Sequence, residues 1–250
     1  MIKVIAFSDP HGNLPAIREP FDLLLISGDI CPATNHNIYY QREWLSSVFV
    51  GWVRHLPFAN KDSKVIFIAG NHDYYLYQEP NPNRGGYSSI YTDVLKPCGG
   101  RLVYLEDDEY IFEKETEDGQ VESLKIYGTP WCKNFGRWAF MRDNEKLEQY
   151  YDNIPEGLDI LLTHDAPDIQ GCGKISMGDW AGENAGNKVL AAAVKKKEPK
   201  LVLFGHIHSA NHTLTKVYKK NTHIRCVSML DEYYTPFYEP YIFTVEGHVK

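Results

Sequence analysis

Five polar clusters each follow directly on a short apolar run, and their side chains are of the kinds that hold divalent cations. They are Ser8-Asp9-Pro10-His11-Gly12-Asn13, Ser27-Gly28-Asp29, Gly70-Asn71-His72-Asp73, Thr163-His164-Asp165 and Gly205-His206-Ile207-His208. Carboxylate, imidazole and amide oxygen together suit a borderline ion such as Mn2+, Fe2+ or Zn2+. Asp9 and His11 stand two residues apart, so in an extended loop both can turn to one ion. His206 and His208 have the same spacing, but two ions could divide them. Glycines at 12, 28, 70 and 205 leave the backbone free to turn tightly beside the ions.

Taken singly, these signals are weak. Asp-x-His usually makes a turn or caps a helix, and Gly-Asp is commoner still. Asn and Asp populate turns for local reasons, which dilutes Gly-Asn-His-Asp as well. A lone histidine is more often a satisfied core or surface residue than a ligand. The metal reading rests on the set: five of the ten histidines fall directly after buried runs.

The elements that must position these groups are short. Residues 2–7, 23–26, 65–69, 160–162 and 201–204 are apolar on both faces of the alternation, as strands buried inside a layered α/β protein are. In such sheets functional groups gather outside the carboxyl ends of the strands, so five clusters converge if the strands are neighbours. Helical spacing of Trp44, Leu45, Val48, Phe49 and Trp52 predicts a helix over 39–55. The alanine-rich stretch before Pro199 predicts another over 187–197. Residues 101–127 read as a hairpin with a polar tip at 115–120 and Asp118-Gly119 as the turn. Residues 212–227 read as a second hairpin turning near 219–222, 241–245 as a closing strand, and 81–86 as a loop. The mixture predicts an α/β fold of two β-sheets packed face to face and flanked by helices, in a single domain over 1–250.

Composition excludes several classes. With 250 residues, 43% hydrophobic and 24% charged, the chain is neither disordered nor fibrous. A net charge of −7 argues against a nucleic-acid partner held by the overall field. The basic run at Lys195, Lys196 and Lys197 reads as a solvated helix terminus. Five widely spaced cysteines without a CxxC pair fit a reduced chain. No signal-peptide pattern and no bilayer-length apolar run are present, so the expectation is a cytoplasmic protein with no membrane partner.

The order Asp-x-His, Gly-Asp, Gly-Asn-His-Asp, His, Gly-His-x-His resembles the calcineurin-like metallophosphoesterase superfamily, with motifs spanning positions 9 to 208. Residues 64–72, 126–131 and 154–164 are similar to its metallophosphoesterase-domain-containing branch. The resemblance implies a two-sheet αββα sandwich and two divalent metal ions, with Mn2+ favoured among Mn2+, Fe2+ and Zn2+. It implies that Asp9, His11, His208 and Asp29 hold the first ion. Asp29 would bridge to the second, shared with Asn71, His164 and His206. His72 would lie over the site as the catalytic residue, touching the phosphoryl oxygen or the leaving group.

Two departures bear on these roles. Some members of the branch lack the first histidine of Gly-His-x-His, whereas this chain keeps His206. In the protein-phosphatase branch an aspartate three residues after the bridging one orients the catalytic histidine; Pro32 stands there in this chain. The partner of His72 is therefore unassigned. Asp73 is not nominated, because neighbouring side chains in an extended segment point apart.

The implied activity is hydrolysis of a small phosphodiester, such as a cyclic nucleotide, by metal-activated hydroxide. The alternatives are a phosphomonoesterase of the same fold or a non-catalytic metal-binding scaffold. Such scaffolds tend to lose a ligand or the catalytic histidine, and this chain has lost neither. Motif neighbourhood nominates Asn13 and Trp131 as substrate contacts, with Asp165 and Cys172 at the mouth. Their plainer readings are turn former, core aromatic, loop carboxylate and small buried hydrophobe. Tyr74, Tyr75, Tyr77, Tyr233 and Tyr234 could form an aromatic wall, though packing explains most tyrosines. The expected partner is the small phosphoester itself, and the oligomeric state is open.

Overall fold

Alternation along the strands sets the layering. In β1 (Ile2–Phe7), Ile2, Val4 and Ala6 fall in one buried cluster while Ile5 and Phe7 fall in another. Period-two side-chain direction makes these the two faces of one sheet. The computed structural model describes residues 1–77 and 87–249, and the loop expected over 81–86 lies outside the described residues.

The first sheet places β1 beside β2 (Leu23–Ser27), β3 (Lys64–Ile68) and β4 (Leu102–Tyr104), all parallel. On its other side β1 pairs antiparallel with β13 (Tyr241–Val245). In the second sheet β9 (Ile160–Thr163) lies parallel between β6 (Val121–Thr129) and β10 (Leu201–Phe204). That sheet continues through β12 (His223–Cys226) to β11 (Thr215–Lys216). At the far side, β5 (Asp108–Glu115) and β14 (His248–Val249) both pair with β6. A separate two-residue pair joins β7 (Cys132–Lys133) to β8 (Met141–Arg142).

Val4, Ala6, Leu23, Leu25, Ile66 and Ile68 of the first sheet bury against Phe112, Leu124, Ile126, Ile160, Leu162 and Leu203 of the second. Each such side chain contributes about 1.5–3 kcal/mol when fully removed from water. The outer faces carry helices. Asn37 caps α1 (Ile38–Trp44) by accepting from the N–H groups of Tyr39 and Tyr40. The helix runs on through a wider turn (Leu45–Phe49) into α2 (Val50–Arg54). Ser46 and Ser47 both donate to the Glu43 carbonyl, a competing bond of the kind that loosens the helical ladder. Leu45, Phe49 and Val53, four residues apart, share a cluster with Phe7, Ile26 and Phe67, and the Phe49 and Phe67 rings meet edge-on at 5.5 Å. The short α3 (Tyr87–Ile90) leads into the turn before β4. On the second sheet, Leu147 of α4 (Asn144–Asp152) and Leu190 and Val194 of α5 (Lys188–Lys197) cluster with Leu161, Val202 and Phe204.

One expected element divides differently. Residues 101–127 are not one hairpin: β4 joins the first sheet, and the β5–β6 hairpin belongs to the second. The chain changes sheets at Asp107, whose φ of 53° makes the turn. Its carboxylate accepts from Thr129 Oγ1 and Trp131 Nε1, bonds that apolar alternation does not announce.

Asp159 ties the second sheet together at the start of β9. Its oxygens accept from the Lys125 N–H at 2.8 Å, from Lys200 Nζ at 2.8 Å and from His248 Nε2 at 2.9 Å. Burial raises its pKa, but the Lys125 N–H, Lys200 and His248 outweigh that and hold it below the usual carboxylate range. A depressed folded-state pKa stabilises the native form above the unfolded value of about 3.9, and this stability is lost as pH falls through the folded value. Asp159→Asn is therefore expected to cost about 1–3 kcal/mol at pH 7, with the difference closing toward pH 3. Urea unfolding of both proteins at several pH values measures this, and a deficit independent of pH contradicts the ionic account.

The carboxyl ends of both sheets meet. Ser8 donates its N–H to the Val227 carbonyl and its hydroxyl to the Ser27 carbonyl. Ser27 Oγ donates to the Leu203 carbonyl at 3.3 Å. The ends of β1, β2, β10 and β12 are thus laced together, and the five polar clusters leave from this seam.

Candidate metal centre

Two groups of donor atoms form on the seam. In the first, ligand atoms of Asp9, His11 and His208 all lie within 4.8 Å of one another. His11 Nε2 is 3.2 Å from His208 Nε2 and 3.7 Å from Asp29 Oδ2, and His208 Nε2 is 3.7 Å from Asp9 Oδ1. In the second, His164 Nε2 sits 3.3 Å from Asp29 Oδ2 and 3.1 Å from Asn71 Oδ1. The His206 ring centroid is 5.2 Å from that of His164. Asp9 also falls within one 4.8 Å group with Asp29 and His164, and Asp29 Oδ2 faces both His11 and His164, so Asp29 stands between the two sets. All seven expected ligands are thereby brought to one place.

Backbone shape aims them. Asp9, His11, Asp29 and His206 adopt φ between 44° and 68°, a left-handed conformation that costs a non-glycine residue about 1–3 kcal/mol and persists only where its surroundings enforce it. The enforcement is visible. The His206 N–H donates to both Asp9 oxygens at 3.1 Å, and Ser228 Oγ donates to Asp9 Oδ2 at 2.6 Å. The His72 N–H donates to Asp29 Oδ1 at 2.7 Å. Gly70 must be glycine, because a Cβ there would run into Asp29 Oδ1 and approach His164 Cε1 to 2.6 Å. Asp73, fully buried, accepts from the N–H groups of Gly70, Ile30 and Cys31 and so clamps the loop after β3 to the loop bearing Asp29. Among the described residues its carboxylate is taken up by these backbone N–H groups and makes no hydrogen bond to the His72 ring.

The imidazoles are set for coordination. The ring nitrogens His164 Nδ1 and His208 Nδ1 lie 2.8 Å from the carbonyls of Ser27 and Asp231. A carbonyl only accepts, so Nδ1 carries the proton and the Nε2 lone pair is free in the neutral ring. Burial alone would lower the His164 pKa, but the Asp29 carboxylate lifts it to about 10. Burial likewise pushes Asp29 up, yet His164, His72 and His11 together hold it well below the usual range. Burial drives His11 and His206 well below their ordinary value.

Asp9 and Asp29 are fully or nearly fully buried, and among the described residues no lysine or arginine pairs with either. Two buried carboxylates without a permanent cation are costly. His11 Nδ1 is also buried without a hydrogen-bond partner. Two carboxylates, an amide oxygen and four imidazoles in this arrangement fit a pair of divalent cations.

Around the donors lie groups that sequence reasoning missed. His36 Nε2 is 2.9 Å from His72 Nδ1, which supplies the ring partner left unassigned. Burial, then the charge of His72, lowers the His36 pKa, so His36 suits the accepting role. Trp138 packs on the His72 ring at 4.5 Å and Phe135 on His206 at 5.3 Å. Cys132 Sγ shares a 4.8 Å group with His164 and His206. His36 is an isolated histidine in a loop, and the others lie in the stretch 132–138, with no motif, so no spacing pointed to them.

The expected substrate contacts separate. Asn13 is exposed in the loop beside His11, its amide N–H donated to the Pro10 carbonyl. Trp131 is corrected: its ring is buried in the core, stacked on Tyr150 at 4.1 Å and covered by Arg142, and its N–H is taken by Asp107. Large planar side chains fill cores as readily as they line sites, and only the fold distinguishes the two. Asp165 is buried and accepts from the Lys133 N–H and Asn187 Nδ2, and Cys172 is buried. Of the five tyrosines, Tyr234 covers the donors, 4.9 Å from the His11 ring and 5.1 Å from that of His208. Tyr75 donates to Asp93, Tyr77 accepts from Arg142, Tyr74 donates to the Arg137 carbonyl, and Tyr233 is exposed.

Comparison with known proteins shows what the chain is similar to. The chain is 27% identical to human metallophosphoesterase domain-containing protein 1 over 229 residues, covering 82% of this chain and 60% of that protein. It is 28% identical to a UPF0046 protein of Caenorhabditis elegans over 270 residues, covering 99% of this chain and 61% of that one. It thus spans about three-fifths of the length of these relatives. The solved phosphopantetheinyl hydrolase from Mycobacterium tuberculosis shares the fold, with a TM-score of 0.50, 15% identity and coverage of 90% of this chain and 88% of that one. The calcineurin-like phosphoesterase profile matches residues 2–210, a span that holds all seven donors and His72, and the chain belongs to that family.

Proposed function

We propose that the chain is a dinuclear-metal phosphoesterase that hydrolyses a small phosphodiester. The observation that carries this is the two donor sets on either side of Asp29, whose Oδ2 faces His11 and His164, with His72 close by and outside both. Asp9, His11 and His208 would hold one cation and Asn71, His164 and His206 the other, with Asp29 reaching both. The first set, oxygen and nitrogen only, suits Mn2+ as well as Fe2+ or Zn2+. When bound, such a pair supplies Lewis acidity toward phosphoryl oxygens and acidifies water toward neutral pH.

The chain does the rest. His36, as acceptor for His72 Nδ1–H, favours the imidazolium form of His72, whose Nε2–H would give its proton to the departing oxygen and leave the ring neutral. The Gln41 side chain donates to the His72 carbonyl at 2.7 Å and, with Asp29 Oδ1 on the His72 N–H, fixes the backbone of that residue. Burial pushes the Tyr234 phenol up to about 12, so its hydroxyl stays a donor beside the first set. Trp138, Phe135 and Tyr234 give the rim flat apolar faces, and Asn13 adds an exposed amide. A small ester bearing an aromatic group fits this rim. Five unpaired cysteines suit a cytoplasmic setting, and no helix among the described residues is long and apolar enough to cross a membrane.

Matched assays with Mn2+ on an aryl phosphodiester, an aryl phosphomonoester and single-stranded DNA test the reading. The diester is expected to be hydrolysed fastest. A clear preference for the monoester overturns the substrate class, and absence of hydrolysis with metal bound points to a scaffold.

A further inference from the structure

Cys132 has no part in the scheme above, yet it stands among the donors. Its Sγ and the ligand atoms of His164 and His206 lie within 4.8 Å of one another. The thiol is fully buried and makes one weak hydrogen bond, donated to the Pro130 carbonyl at 3.5 Å. Its backbone is held on both sides. The Cys132 N–H donates to the Phe140 carbonyl at 2.9 Å, and the Lys133 N–H donates to Asp165 Oδ2 at 2.8 Å. Asp165 is the covalent neighbour of His164, so the bond to Lys133 ties the two segments together. Among the described residues no hydrogen bond of the His206 ring is seen, and its ring neighbours are Phe135 and His164. A buried sulfur and two imidazoles therefore share one space, with one ring lacking any other polar partner.

We infer that Cys132 is a sulfur ligand of the second cation, beside His164 and His206, and that this position selects Zn2+ or Fe2+ over Mn2+. The inference rests on the dinuclear reading proposed above. Soft thiolate donors favour thiophilic ions, whereas carboxylate and amide oxygens alone do not. Coordination breaks the S–H bond and forms a sulfur–metal bond; the proton passes to solvent and no electron is transferred. The two metal positions are then unlike: oxygen and nitrogen donors at the first, an added sulfur at the second.

The full-length chain, stripped of metal and titrated with Co2+, tests this. Two equivalents are expected to bind, one of them with a thiolate-to-cobalt charge-transfer band that is absent in Cys132→Ser and Cys132→Ala. X-ray absorption of the zinc form should show one sulfur at about 2.3 Å. Zinc affinity at that position should fall in both variants by at least the about 10–100-fold that follows loss of a mere outer-shell partner. Using two variants guards against one that fails to fold, and circular dichroism checks both. Two bound Co2+ ions without the band, or a band that survives in both variants, overturn the inference and leave the dinuclear reading standing. Failure of the parent chain to bind Co2+ at all overturns the dinuclear reading and the inference with it.

Discussion

His72→Ala is expected to lower turnover by about 10²–10⁴-fold, the usual contribution of a general acid, while leaving metal content unchanged. The side chain belongs to neither donor group, so its removal takes away no ligand. What Asp29 receives from this residue is the backbone N–H, at 2.7 Å, and alanine keeps that N–H. The Gln41 amide bonds the carbonyl of the same residue, which the substitution also spares. The lost group is therefore the ring and its bond to His36. Turnover with a good leaving group, whose departing oxygen needs little proton help, should fall less than turnover with a poor one. Steady-state rates on a pair of aryl esters differing in leaving-group pKa, with metal analysis of the same samples, measure both effects. Unchanged turnover sinks the role given to His72, and lost metal shows that its role is structural.

Asp29→Asn should have a larger consequence through a different route. The amide oxygen can still accept the His72 N–H, so the loop keeps its shape. What disappears is the negative charge that both donor groups share: His11 Nε2 at 3.7 Å and His164 Nε2 at 3.3 Å both face Asp29 Oδ2. That carboxylate is also what lifts the pKa of His164 to about 10 against its burial. Metal content is expected to fall from two ions per chain to one or none. Turnover should fall at least as far as in His72→Ala, since positioning and charge neutralisation both depend on the bound pair. Mass-spectrometric metal analysis and rates at saturating Mn2+ report the two effects. Full turnover with two ions retained contradicts the sharing of Asp29.

Much of this centre is legible in the sequence because each part is announced locally. The apolar runs end at the residues that carry the donors, and at Gly28, Gly70 and Gly205 a donor directly follows the glycine. The runs at 2–7 and 201–204 became strands with the same bounds. Long-range pairings are a different matter. His36 reaches His72 across 36 residues and Asp73 reaches Cys31 across 42; nothing in either segment marks the other. Trp131 shows the converse, a residue in a promising neighbourhood whose ring turns into the core against Tyr150. The hairpin expected over 101–127 broke at Asp107 because a single left-handed residue moves the chain from one sheet to the other. Cys132 escaped notice since a lone thiol in a sequence without CxxC spacing reads as packing.

Anomalous diffraction from a crystal of the chain grown with Zn2+, an ion that both donor sets suit, tests the central claim most directly. The account predicts two peaks, one among Asp9, His11 and His208 and one among Asn71, His164 and His206, with Asp29 touching both. A single peak, a pair elsewhere, or no bound ion at saturating metal contradicts it.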